Sequence, residues 1–216
     1  MMEATSNLDI VLTLLHGLAV TLQLAAVVLV FGTAGGVVLG VASAYGGAPV
    51  RLFVGALLYL ARGLPLLIQV FAIFYLLPLF GPTLDRFSTA AVALGAFAAM
   101  TISEIVRGGL VAIPKGQIEA AYSLGLKRLM TIRLIILPQA LRVLLAPLIG
   151  QFVFLVKATS IISLLGVPEL MFSAREIIER DLEGFKVMTL VWLIYTAVCM
   201  PLSMLGRHLE RRLAIR

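Results

Sequence analysis

From Ile10 to Val50 the chain has no charged side chain except whatever charge His16 carries. A helix crosses a bilayer with roughly 20 mostly apolar residues, so this run is too long for one straight span. The pattern predicts a short interfacial helix near residues 8–16 and then a first span over 18–43. Four more apolar runs follow. They predict spans over 56–79 (ALLYLARGLPLLIQVFAIFYLLPLF), 88–107 (STAAVALGAFAAMTISEIVR), 141–165 (LRVLLAPLIGQFVFLVKATSIISLL) and 187–206 (VMTLVWLIYTAVCMPLSMLG). The expected fold is therefore all-α: an integral membrane bundle of five transmembrane helices forming a single domain over residues 1–216.

Polar positions break this pattern at three places. GPTLDR at 81–86 has the Gly-Pro signature of a tight turn. Residues 166–186 form a connection rich in acids and bases, suited either to contact with a soluble partner or to an amphipathic helix packed on the bundle. Residues 108–140 form the third break, and at about 30 residues they are far longer than a connecting loop requires. Within the spans, Gly32, Gly35, Gly36 and Gly40, and Ala91, Ala93, Gly95, Ala96, Ala98 and Ala99, provide small faces on which helix backbones can approach closely in lipid.

Composition supports the membrane reading. The chain is 61% hydrophobic and 13% charged, against about 45–50% and about 25% for soluble domains. The net charge of +6 does not indicate nucleic acid, because the basic residues sit at the ends of apolar runs and not on one polar face. The single cysteine, Cys199, excludes an intrachain disulfide. The first ten residues, MMEATSNLDI, have no Lys or Arg and so lack the positive region of a secretory signal.

Charge also predicts orientation. With the N-terminus outside, the inner segments hold twelve of the 17 basic residues: Arg51, Arg62, those from Arg107 to Arg142, and those from Arg207 to Arg216. The outer segments hold Arg86, Arg175, Arg180 and Lys186, together with the acids Glu3, Asp9, Asp85, Glu169, Glu176, Glu179, Asp181 and Glu183. Positive residues concentrate on the cytoplasmic side, so the reading is N-out and C-in, with 108–140 cytoplasmic.

Inside that segment Ile113-Pro114 marks a helix start, KGQIEAAYSL supplies two to three turns, and Gly125 suits a left-handed cap. KRLMTIRLIILP then places Leu129, Ile132 and Ile136 on one face, away from Lys127, Arg128 and Arg133, as in a helix lying on the inner membrane surface, with Pro138 breaking it before the next span. An exposed helix with Ala120, Ala121 and Gly125 presents little bulk and suits insertion into a partner's groove.

EAAYSLGLKRLMTIRLIILP resembles the EAA motif of bacterial ABC importer permeases: Glu119-Ala120-Ala121, three residues, Gly125, nine residues, Ile135, one residue, Leu137-Pro138. RGLPLLIQVF at 62–71, SEIVRGGLVAIPKGQIEAA at 103–121 and GQFVFLVKATSIISLLGVPEL at 150–170 resemble segments of the polar amino-acid branch, the histidine, glutamine, glutamate and arginine permease type. The resemblance implies a type I ABC importer fold in which 108–140 carries a coupling helix, with Glu119, Ala120, Ala121 and Gly125 contacting a separate ATPase. It also implies partners: two ATPase subunits that bind ATP and Mg, a second permease subunit, identical or homologous, and an extracytoplasmic amino-acid-binding protein. The implied location is the bacterial inner membrane. No GxxxxGK[ST] occurs in the chain, so ATP is expected to bind elsewhere and no cofactor or metal is expected here.

Charged and polar groups within spans are candidates for a substrate pathway. Lys157 is the deepest; it can pair with an internal acid or face the pathway and meet a substrate carboxylate. Thr159 and Ser160 can join it or bond back to their own helix. Gln69 suits either the cavity or interhelical contact, and Glu104 can pair with Arg107 or Lys157 or sit at an inner gate. Ala158 stands where the family often has Asp, Gln151 where Asn is common and Leu64 where Thr is common. An ion-coupled secondary amino-acid transporter is the alternative reading, although no internal repeat is visible. A membrane enzyme is disfavoured: His16 and His208 lie at opposite ends of the bundle, and neither HExxH nor GxSxG occurs.

Overall fold

The computed structural model describes residues 7–81 and 83–213. Glu3, Pro82 and Arg216, which the charge and turn readings include, lie outside them. The described residues are mainly helical, with no strand among them. Among the described residues, four helices are long and apolar enough to cross a membrane, and a bent helix pair brings the number of spans to as many as five.

Helix α1 runs unbroken over Asn7–Tyr45. The expected interfacial helix at 8–16 and the span at 18–43 are thus one element, about 58 Å long at 1.5 Å per residue. Gly17, where a break was expected, is instead a contact point. A Cβ there would lie 3.0 Å from the Leu170 Cα, so the glycine lets another helix start pass close by. Ile10, Leu14, Gly17, Thr21, Leu24, Val28, Gly32, Gly36 and Gly40 are buried along one stripe of α1.

The expected single span at 56–79 is two helices, α2 over Ala48–Gly63 and α3 over Leu66–Leu76. A 3₁₀ turn over Leu77–Phe80 extends α3, and the pair is bent by 108°. The cause is Pro65, which lacks an N–H and disfavours helical backbone at the residue before it. Leu64 is accordingly extended, at φ −113° and ψ 137°.

Helix α4 covers Arg86–Val111, its first turn capped by the Asp85 carboxylate, which accepts from the N–H groups of Phe87 (3.0 Å) and Ser88 (3.2 Å). It packs along α1 through the small residues noted in the sequence. A Cβ on Gly32 would fall 2.5 Å from that of Ala98, and one on Gly40 2.7 Å from the Ser103 carbonyl.

Helix α5 (Lys115–Ser123) and helix α6 (Arg128–Thr131) follow. A π turn over Ile132–Ile136 then leads directly into α7 (Leu137–Ala158). Pro138 therefore does not break the chain. It sits in the first turn of α7, and the wider π turn before it, closed by Leu137 N–H to the Ile132 carbonyl, accommodates the ring and the missing donor. The path from Arg128 to Leu165 is continuous, ending in a 3₁₀ segment at Thr159–Leu165. Helix α8 (Leu170–Asp181) packs Leu170, Ala174 and Ile177 into a core with Ile10 and Leu14 of α1 and Val187 and Val191 of α9 (Gly184–Leu213). Within 166–186, α8 is an amphipathic helix packed on the bundle, with Glu176, Glu179 and Arg180 left exposed.

Candidate functional site

Helix α5 projects as a short helix held at both ends by backbone geometry. Pro114 precedes it in extended conformation (ψ 132°). At its C-terminus Gly125 adopts φ +77°, its N–H donates to the Tyr122 carbonyl (2.9 Å), and the Leu126 N–H donates to the Ala121 carbonyl (3.1 Å). This pair of bonds is a Schellman cap, and the left-handed residue it requires is why glycine stands at 125. Glu119 and Ala120 point outward, whereas Ala121 is buried and turns α5 onto the bundle. The apolar seat beneath α5 is Ile113, Ile136, Ala140 and Leu144, with Ile118 and Ile132 packed against them.

Lys157, near the end of α7, is exposed along a groove of about 440 Å³ lined by Trp192, Tyr195, Thr196, Cys199, Ser203 and Arg207 of α9. Among the described residues it has no acidic partner. The other four pathway candidates do not share this groove. Thr159 is buried and its hydroxyl donates to the Val156 carbonyl (2.8 Å); that of Ser160 donates to the Lys157 carbonyl (2.7 Å). Both bond back to their own helix. Glu104 pairs with Arg107 at 2.6 Å, one of the partners anticipated. Gln69 holds the bend between α2 and α3: its amide donates to the carbonyls of Ala61 (2.7 Å) and Leu64 (2.8 Å), which the break leaves without helical donors.

Glu169, one of the acids of the polar connection 166–186, does not face solvent. It is fully buried and caps α8, accepting from the Phe172 N–H (2.8 Å), from the Thr21 hydroxyl (3.3 Å) and from the Tyr195 hydroxyl (3.5 Å). Thr21 in turn accepts from the Leu170 N–H (3.1 Å). Desolvation holds the Glu169 carboxyl above the ordinary glutamate range, against the pull of these donors. The sequence signal for this role is local: an acid directly after Pro168 and directly before the apolar start of a helix. Tyr195 both touches Glu169 and lines the Lys157 groove, so α1, α8 and α9 meet at one buried carboxyl beside that groove.

Residues 36–215 match the family model described as "Binding-protein-dependent transport system inner membrane component". The chain is 38% identical over 200 residues to the probable glutamine ABC transporter permease protein GlnP of Bacillus subtilis (strain 168), covering 91% of each chain. It is 36% identical over 208 residues to the glutamine transport system permease protein GlnP of Escherichia coli (strain K12), covering 94% of this chain and 93% of that one. The L-cystine transport system permease protein TcyB of Bacillus subtilis (strain 168) is 40% identical over 166 residues, 76% of this chain and 71% of the relative. Among solved structures, an amino acid ABC transporter crystallised with histidines superposes with a TM-score of 0.87 at 28% identity, covering 98% of this chain and 99% of that one.

Proposed function

We infer the function from this premise: the chain belongs to the family of binding-protein-dependent transport system inner membrane components. It is the membrane-spanning permease subunit of an ATP-driven ABC importer, and its cargo is polar amino acids, as the names of its relatives suggest. None of the relatives reported above is an ion-coupled carrier. The N-terminus lies outside and the C-terminus in the cytoplasm, which puts α5 on the cytoplasmic side with Arg128, Arg133 and Arg142.

The observation that carries this reading is the build of α5. It is a small, rigidly capped helix with Glu119 and Ala120 facing outward, and the continuous path from Arg128 to Leu165 leads from it to Lys157. In the complex α5 inserts into a groove of an ATPase subunit. Two such subunits bind ATP and Mg, a second permease subunit completes the pathway, and an extracytoplasmic binding protein delivers the amino acid. Closing of the ATPase pair draws the α5 helices together and rocks the spans between outward and inward access. Lys157, with no acid beside it among the described residues, meets the substrate carboxylate. Its backbone is braced by the Ser160 hydroxyl.

The test is uptake by vesicles that hold the permease pair and the ATPase, with binding protein added. Uptake that requires ATP and binding protein, and that selects among a panel of amino acids, is expected. Uptake driven by an ion gradient without ATP would overturn the reading.

A further inference from the structure

Helix α5 touches the bundle in two ways. Its apolar seat, Ile113, Ile136, Ala140 and Leu144 with Ile118 and Ile132 packed against them, takes in the π turn and the first half of α7 but is non-directional. A seat of that kind lets a helix slide. The second contact is polar and directional. The side-chain amide of Gln139, in the first turn of α7, donates to the side-chain carbonyl of Gln117 in α5. The same amide nitrogen donates to the Ile135 carbonyl in the π turn (2.9 Å). One amide thus joins three elements: α5, the π turn and α7.

The place it joins is one where the helix ladder lacks a backbone donor. Pro138 supplies no N–H, and the Leu137 N–H reaches back to Ile132 in the π pattern. A widened, under-bonded turn between α5 and α7 would absorb a push on α5 by flexing. The Gln139 side-chain amide adds a bond to the Ile135 carbonyl and ties α5 to the far side of that turn. Transmission through a packed chain needs a link of this sort between the element pushed and the element that must move.

We propose that Gln139, through its bond to Gln117, is the positioning residue that makes displacement of α5 reach α7 and the Lys157 groove. The proposal rests on the reading of α5 as the coupling helix. It separates two functions within the insert: Glu119 and Ala120 meet the ATPase, and the Gln117–Gln139 pair passes the movement on.

The experiment uses the full transporter in vesicles and reads amino acid imported per ATP hydrolysed, with subunit assembly checked by co-purification. Gln139→Leu is expected to lower that ratio about three- to tenfold, the scale of one lost hydrogen bond, with assembly intact. Gln117→Glu keeps the acceptor and is expected to stay near wild type. Gln117→Glu combined with Gln139→Lys, which replaces the amide pair by a charged one, is expected to recover most of the loss. A role in folding alone would change the amount of transporter without changing the ratio. If Gln139→Leu fails to reach the membrane, Gln117→Leu removes the same bond from the α5 side. An unchanged ratio in the leucine variants overturns the proposal. If Gly125→Pro uncouples transport and the glutamine variants do not, only the present inference falls. If Gly125→Pro also leaves the ratio unchanged, the coupling reading itself falls.

Discussion

A Cβ placed on Gly36 of α1 would lie 2.6 Å from Cγ2 of Ile102 in α4, well inside the roughly 3.5–4.0 Å at which carbon atoms pack best. The α1–α4 seam is therefore set by backbone proximity, and position 36 has no room to grow. Gly36→Leu is expected to lower stability by about 1–3 kcal/mol, as overpacking does. Gly55 meets nothing within 4 Å, so Gly55→Ala is expected to be neutral or to stabilise by about 0.5–1 kcal/mol. Melting temperatures of the two variants in detergent check the opposite signs.

Burial raises the Glu169 carboxyl above its ordinary range. The folded state therefore favours the protonated form. The resulting stability is fully present below the unfolded value, about 4.3, and is lost as pH rises through the higher folded value. The wild-type melting temperature is expected to fall across that window. Glu169→Gln keeps an oxygen for the Phe172 N–H and cannot ionise, so its profile there is expected to be flat. A pH series of melting temperatures for both proteins is the check; parallel slopes would show that another group sets the dependence.

Gln69 supplies donors to two carbonyls at the α2–α3 bend. Gln69→Leu leaves both without that donor and is expected to cost about 1–3 kcal/mol. Amide exchange at the ends of α2 and α3 is expected to quicken, which mass-resolved hydrogen exchange would detect.

Lys157 faces its groove without an acid among the described residues. Lys157→Gln is expected to weaken uptake about tenfold or more, the scale of a lost charge-assisted bond, and to leave assembly unaffected. Lys157→Arg is expected to recover part of the loss. A radiolabelled uptake series checks both.

Much of this was legible in the sequence, and particular residues show where legibility ended. Long apolar runs place α1, α4, α7 and α9 because bilayer thickness sets their length. Gly125 could be read as a left-handed cap because only glycine takes that conformation freely. The break at Leu64–Pro65 was missed because hydropathy averages composition and carries no direction, so a span bent by 108° scores like a straight one. Pro138 was misread for a related reason: the π turn that accommodates it has no residue signature of its own. Glu169 was hidden because a polar connection was averaged over its length, while one acid in it turns inward to meet Thr21 and Tyr195. The wall of the Lys157 groove comes from α9, distant in sequence, and no local pattern announces that meeting.

The central claim, that α5 transmits the ATPase's movement, is tested most directly by measuring amino acid uptake and ATP hydrolysis together in vesicles carrying Gly125→Pro. Proline cannot reach φ +77° and lacks the N–H that bonds to Tyr122. The predicted result is transporter at normal membrane level whose uptake falls about tenfold or more, with ATP hydrolysis no longer tracking the binding protein. Wild-type uptake at normal membrane level would contradict the claim.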